Sequence, residues 1–251
     1  MARVGRRSLP RNVTDVTRVL VRLDGAVRND AVSAEVASWR TEDALPIRQF
    51  YAWPGKRNYE GAWWSSTNRR HVEFESLLER EYLLAADATV EVVAVAAQPL
   101  ALLWPLGTVG QRNHVPDFFV RLASGDGRLV DVRAANRVAK NAAQFAMTRQ
   151  VCDEIGWQYE FFTGLPRARS QNLRWLAGYR HDRHAPGGHT TVAIRECFAA
   201  PVTLRTGLCR ASTSTGLPSE VVTAHVLHLL WRGQLVVDLS TPLSMTSEVR
   251  A

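Results

Sequence analysis

Apolar positions recur along this chain with two different periods, and each change of period marks an element. Val13, Val16, Val19, Val21 and Leu23 alternate weakly among arginines. From Arg70 to Ala86 the apolar residues Phe74, Leu77, Leu78, Tyr82, Leu84 and Ala85 recur at three- and four-residue spacing, which predicts an amphipathic helix. Thr89 to Ala97 is valine-rich and alternating, a buried strand that Gln98-Pro99 terminates, and Leu100 to Leu106 is a second short strand. A polar loop, Gly107 to Asn113, then delivers the chain to HVPDFFVRLASGDGRLVDVR, His114 to Arg133. Its two apolar runs flank Ser124-Gly125-Asp126-Gly127, which predicts a β-hairpin. Ala134 to Gly156 reads as a helix with Val138, Ala142, Phe145, Ala146, Thr148, Val151, Cys152 and Ile155 inward and Gly156 as C-cap. Trp157 to Phe162 is the next strand.

Beyond that strand the pattern becomes mostly helical. Asn172 to Tyr179 predicts a short helix and His181 to His189 a flexible connector. Ala200 to Ala211 predicts a helix, Ser212 to Pro218 a turn, and Ser219 to Trp231 a second helix capped by Ser219, with Val222, Val226, Leu229 and Leu230 inward. After Gly233, Leu235 to Leu239 and a stretch through Met245 and Val249 predict two strands. Helix, turn, helix and β-ribbon is a winged-helix order. The outer face of the second helix offers Thr223, His225 and His228, which is hardly a basic recognition surface, so docking of a protein suits it at least as well as reading of bases. The expected organisation is a basic, aromatic-rich segment over 1–70, an α/β domain over 71–180 and a small winged-helix-like domain over 190–251.

Charge changes this picture at one end. Residues 1–70 hold 13 Lys+Arg against 7 Asp+Glu, a net +6, so nearly all of the chain's +7 is N-terminal. Of the 31 cations only Lys56 and Lys140 are lysines, and an arginine-dominated set suits phosphate forks. Residues 1–40, a basic arm of Arg3, Arg6, Arg7 and Arg11 followed by a stretch that Arg18, Arg22 and Arg28 keep cationic, make either a DNA-contacting arm that orders on binding or a disordered leader. The aromatics Trp39, Phe50, Tyr51, Trp53, Tyr59, Trp63 and Trp64 stack on bases or, as the commoner case, pack a loop-rich segment onto a core. No apolar run approaches the ~20 residues of a membrane span, and the N-terminal arginines are followed by no apolar segment of a secretory signal. Cys152, Cys197 and Cys209 are far apart in apolar contexts and read as core residues of a protein in a reducing cytoplasm. The histidines of 181–189 have no cysteine at zinc-finger spacing and are not read as a metal site.

The candidate chemistry lies in the hairpin. With the turn centred near Gly125, Asp117 sits opposite Arg133 and Phe119 opposite Asp131, so both carboxylates and the guanidinium share one sheet face. Two carboxylates converging there form either a Mg²⁺ site, which takes one or two carboxylates plus substrate phosphate, or an ordinary solvated hairpin. Glu75 and Glu79, one turn apart on the predicted helix before it, read by themselves as its wet face.

Four pieces in order carry a resemblance: Phe74-Glu75-Ser76-Leu77-Leu78-Glu79-Arg80-Glu81, then Gln98-Pro99, then Val115-Pro116-Asp117-Phe118-Phe119, then Val130-Asp131-Val132-Arg133. Over about 73–162 the chain resembles the TnsA-type endonuclease subunit of heteromeric transposases, a family with the restriction-endonuclease-like fold. The resemblance implies a mixed central sheet flanked by helices, followed by a winged-helix-like domain, and metal-dependent hydrolysis of a phosphodiester at transposon ends. It implies Glu79 (with Glu75 as substitute), Asp117 and Asp131 as Mg²⁺ or Mn²⁺ ligands, assisted by the Val132 carbonyl. It further implies DNA, a DDE-type transposase and an AAA+ ATPase regulator as partners. Arg133 occupies the place of the family's lysine, and a guanidinium stabilises charge but does not serve as base. Three outcomes follow: metal-bound hydroxide suffices, catalysis is weakened to a DNA-binding or scaffolding role, or Lys140 reaches back from the following helix. A stand-alone repair or restriction nuclease is the remaining alternative.

Overall fold

In a computed structural model of the protein, which describes residues 9–48, 59–108 and 113–251 (Lys140 by its backbone alone), the weakly alternating N-terminal stretch is a hairpin. Strands β1 (Arg18–Leu23) and β2 (Ala26–Ala31) pair antiparallel with Leu23 opposite Ala26. Asp24 and Gly25 between them take the left-handed backbone, φ 54° and 75°, that a two-residue turn needs to match strand twist. Val19, Val21 and Leu23 are buried, while Arg18 bonds Asn29 and Arg28 bonds Asp24. From residue 18 onward the arm-or-leader alternative therefore gives way to ordered strand; Arg3, Arg6 and Arg7 lie outside the described residues. So do Phe50, Tyr51, Trp53 and Lys56; Trp39 packs against the core with the Arg28 guanidinium over its ring, as the packing expectation has it, whereas Trp63 and Trp64 are half-buried and Tyr59, against it, is exposed.

A short helix, α1 (Ala34–Ala37), and strand β3 (Gly61–Ser65) follow. The predicted Arg70–Ala86 helix is two elements. Residues 70–74 form β4 (Arg70–Phe74), paired to β3, with Val72 and Phe74 buried and Arg70, His71 and Glu73 exposed. Phe74 satisfies a period of two as well as one of 3.6, so spacing alone joined what Ser76 separates. Helix α2 (Leu77–Asp87) starts only after that serine.

The remaining elements of this part are β5 (Val92–Ala97), β6 (Leu100–Leu103), β7 (Phe118–Leu122), β8 (Gly127–Val132), α3 (Ala142–Ile155) and β9 (Gln158–Phe162). The main sheet runs β5-β7-β8-β9, antiparallel except for the parallel β8–β9 pair, and a second sheet runs β2-β1-β6. On one face of the main sheet Phe119 and Leu129 join Phe145, Val151 and Cys152 of α3, with Val19 and Val21, in one core. On the other face Phe118 stacks on Tyr82 of α2 at 5.2 Å between ring centroids. The architecture is mixed α/β, with seven α-helices among the described residues. Helix α3 begins later than expected: residues 135–141 make a 3-10 turn, and Met147 rather than Ala146 is buried. Gly156 closes it at φ 79°, as predicted.

The acid-bearing hairpin forms two positions out of the expected register. Phe118 pairs with Val130 and Phe119 with Leu129, so the turn centres on Ser124 and continuing the ladder sets Asp117 level with Asp131, not with Arg133. A slip of two residues keeps every side chain on its predicted face, whereas a slip of one would have inverted the sheet. Gly127 pins this register: a Cβ there would lie 2.7 Å from both Phe119 Cε2 and Trp157 Nε1. Gly127→Ala should therefore cost about 1–3 kcal/mol by overpacking. A shifted urea midpoint checks it, and an unchanged one would show that the rings yield freely.

Chain contacts divide the protein into two units, one reaching Leu83 and resuming over Glu91–Gly164, the other comprising Leu84–Val90 and Leu165–Ala251. The N-terminal segment read as a separate 1–70 region thus groups with the α/β part, and the residues after Gly164 with the C-terminal part. The second unit contains α4 (Arg167–Leu176), α5 (Gly188–Cys197), β10 (Val202–Thr203), α6 (Leu204–Thr215), α7 (Ser219–Trp231), β11 (Val236–Val237) and β12 (Glu248–Arg250). Its antiparallel sheet has the order β10-β12-β11. The expected flexible connector is instead a 3-10 turn over 182–184 and the start of α5. Helix α6 starts four residues late because Thr203 caps it, accepting the Thr206 N–H at 3.2 Å. Ser219 is the first residue of α7 rather than its cap. Val222, Val226, Leu229 and Leu230 point inward as predicted, but so does His228, whose Nδ1 lies 2.8 Å from the Tyr179 carbonyl. His225 is likewise engaged, 2.8 Å from the His184 carbonyl. Of the cysteines only Cys152 is a core residue; Cys197 is half-buried and Cys209 exposed. No helix of the described residues is long and apolar enough to cross a membrane.

Candidate active site

Each acid is positioned by a local rule. Asp117 precedes β7 by one residue, held there because its carbonyl accepts the Gln98 N–H at 2.9 Å. Gln98 turns the chain from β5 towards β6 in a left-handed conformation, φ 44°, a strained choice for a residue with a Cβ. Asp131 lies within β8, on the α3 face, and Arg133 follows the strand's last residue. Glu79 sits in the first turn of α2. Its N–H donates to Ser76 Oγ at 3.2 Å, while its own Oε1 accepts the Ser76 hydroxyl at 2.9 Å and its Oε2 accepts the Glu75 N–H at 2.7 Å. The Ser-x-x-Glu spacing is thus a capping arrangement. Glu75 lies ahead of the helix, so the two glutamates are not one turn apart on it.

Around Arg133 the groups converge. Asp117 Oδ2 accepts the Val132 N–H at 2.7 Å and Arg133 Nη1 at 2.6 Å; its Oδ1 accepts no hydrogen bond among the described residues. The same Nη1 donates to the Val132 carbonyl at 2.6 Å, and Nη2 lies 3.6 Å from Asp131 Oδ1. Asp131, wholly buried, is tied on its other sides: Oδ2 accepts the Tyr159 hydroxyl, and Oδ1 lies 3.0 Å from His114 Nε2. His114 Nδ1 in turn is 2.6 Å from Thr148 Oγ1, whose hydroxyl also reaches the Gln144 carbonyl at 3.1 Å. The direction of the Thr148 hydroxyl and the imidazole tautomer are thus linked. Val132 N–H, Tyr159, His114 and Arg133 were not all foreseen: His114, Thr148 and Tyr159 escaped the sequence reading. The signals available were a histidine three residues before Asp117 and the inward position of Thr148 on its helix.

The electrostatics follow from three carboxylates around one guanidinium. Burial pushes the Asp117 carboxyl up to about 7; Arg133 opposes this, Asp131 and Glu79 add to it, and the Val132 N–H opposes it again. Burial likewise raises Glu79, against the Glu75 N–H and the Ser76 hydroxyl. Burial works against the charge of Arg133, but Asp117, Asp131 and Glu79 outweigh it and hold the guanidinium above its ordinary value, firmly a cation. Arg133 therefore has no role as a base. One cation leaves the cluster short of positive charge.

No protein-family model matches the chain, and no curated protein matches it. Geometry alone thus has to answer whether the residues fit a divalent metal. The donor types fit, since Mg²⁺ and Mn²⁺ take carboxylate and carbonyl oxygens. The arrangement does not: Glu79 is committed to the helix cap, Asp131 to His114 and Tyr159, and no group of three or more His, Cys, Asp or Glu among the described residues is disposed to hold a metal ion. Lys140 lies in the 3-10 turn over 135–141, and its side chain is outside the described residues.

Proposed function

We propose that the chain is a metal-dependent DNA endonuclease subunit of a heteromeric transposase, hydrolysing a phosphodiester at element ends. The observation that carries this is the convergence of Asp117, Asp131 and Arg133 at the open end of one hairpin, with Glu79 near enough to bias the same groups. Asp117 is the central group, because its Oδ1 is the one oxygen of these three carboxylates that accepts no hydrogen bond among the described residues. A Mg²⁺ or Mn²⁺ bound here would supply charge neutralisation and an activated water. Asp117 would hold it, joined by Asp131 and Glu79 once released from His114, Tyr159 and the helix cap, and Arg133 would face the charge that develops on the phosphate. The mixed sheet with helices on both faces is compatible with a restriction-endonuclease-like fold. The part of the C-terminal unit from α5 onward, with its order helix, strand, helix, helix, strand, strand, is read as a winged-helix module. Because His228 is buried and the half-buried His225 is engaged by the His184 carbonyl, that module is better suited to docking a transposase or AAA+ ATPase partner than to reading bases.

The test is nicking of labelled transposon-end DNA by the complex reconstituted with those partners, in Mg²⁺ or Mn²⁺. Wild type should cut, Asp117→Ala should lower the rate by at least about a thousandfold with DNA binding retained, and Arg133→Lys should keep or raise it. Cutting that survives Asp117→Ala would end this assignment. The guanidinium among the ligands favours one other reading, a catalytically weakened DNA-binding or scaffolding subunit, and a wild-type complex that assembles and never nicks would establish it. Cleavage by the chain without partners would point instead to a stand-alone repair or restriction nuclease.

A further inference from the structure

Beside the ties that hold Glu79 and Asp131, the misfit between the acids and a metal has a physical cause at Arg133. The three groups that the resemblance names around the hairpin metal, the Asp117 carboxylate, the Asp131 carboxylate and the Val132 carbonyl, are the three that the Arg133 guanidinium contacts, at 2.6, 3.6 and 2.6 Å. A divalent ion bound to those oxygens sits roughly 2.0–2.2 Å from each, inside the space that the guanidinium nitrogens fill. Two cations a few ångströms apart in a buried site also repel strongly. Occupation by the guanidinium and by a metal therefore exclude each other. The fold gives Arg133 a way out, because its side chain is 31% exposed while those of Asp117 and Asp131 are 9% and 0% exposed. The carboxylates stay and the cation is the movable part.

We propose that Arg133 is the resident cation of this cluster, a built-in occupant that keeps divalent metal out until its guanidinium turns away from Asp117 and Val132. The inference rests on the nuclease reading of the same site and goes beyond it: the arginine in the lysine's place is a determinant of metal entry as well as a charge stabiliser. It makes a definite statement about affinity. Removing the guanidinium frees the Val132 carbonyl, leaves Asp117 Oδ2 with the Val132 N–H alone, and makes the cavity more negative. Metal then restores the charge that the substitution took away.

The experiment is Mn²⁺ titration of the full chain without DNA, with free Mn²⁺ read by electron paramagnetic resonance, for wild type, Arg133→Ala, Arg133→Met and the double variant Arg133→Ala/Asp117→Asn. Methionine keeps an unbranched apolar stem where alanine proves too disruptive to fold. Both single variants should bind Mn²⁺ at least tenfold more tightly than wild type, and the double variant should lose that gain. Thermal unfolding supplies a second readout: Mn²⁺ should raise the midpoint of Arg133→Met more than that of wild type, since a ligand stabilises the form that binds it. Equal affinity in wild type and the single variants overturns the proposal, as does a double variant that binds as tightly as the single ones. The nuclease reading fails separately: tight Mn²⁺ binding by the arginine variants, with a wild-type complex that assembles and never nicks, removes the catalytic assignment and leaves Arg133 as the resident cation.

Discussion

Asp131→Ala is expected to destabilise the protein by about 3–5 kcal/mol, the usual result of deleting one partner from a buried charged network. The side chain has no exposed surface and is approached by the Tyr159 hydroxyl, His114 Nε2 and, at 3.6 Å, Arg133 Nη2. Its removal leaves a buried hydroxyl and an imidazole without their acceptor, and neither is near water. Asn at this position keeps an oxygen for Tyr159 but meets His114 with an amide, so Asp131→Asn should cost less than alanine and more than a surface change. Urea denaturation of the metal-free protein measures both. An alanine variant within about 1 kcal/mol of wild type would mean that Tyr159 and His114 find other partners, and Asp131 would lose its place as the hub of the site.

The second large effect is a pH dependence. Asp117 has its folded carboxyl raised from 3.8 to about 7, with burial the first cause. A raised folded value means that the folded protein holds a proton that the unfolded chain has released. This group's contribution to stability is therefore complete below about pH 4 and is lost as pH rises through about 7, a change on the order of 4 kcal/mol. The difference between wild type and Asp117→Asn isolates it, because asparagine does not titrate. In EDTA, wild type should lose stability relative to the variant between pH 4 and 7.5. A constant difference across that range would mean that Arg133 and the Val132 N–H hold Asp117 ionised throughout.

Much of the architecture was readable from spacing. The hairpin with its acids, the strand ended by Gln98-Pro99, the Gly156 cap and the inward stripe of α7 all depend on contacts close in sequence, where period and turn chemistry act directly. The errors share a cause. Phe74 fits two periods, so β4 was absorbed into a helix; its pairing with Gly61 across the β3–β4 ribbon is what decides. The Asp24-Gly25 turn was passed over because arginines on both sides masked the alternation, whose burial depends on pairing β1 with β6, far along the chain.

By itself the sequence determined which carboxylates share a sheet face, because strand geometry has a period of two and a register slip of two leaves faces unchanged. It also determined that the place after Val132 carries a permanent cation. The tertiary structure alone decided what those groups touch. His114 and Tyr159 reach Asp131 from a bridge to β6 and from β9, with Thr148 of α3 behind the His114 ring, and the close approach at Gly127 set the register that levels Asp117 with Asp131. Such contacts depend on side-chain volumes meeting across elements remote in sequence, which no local spacing encodes.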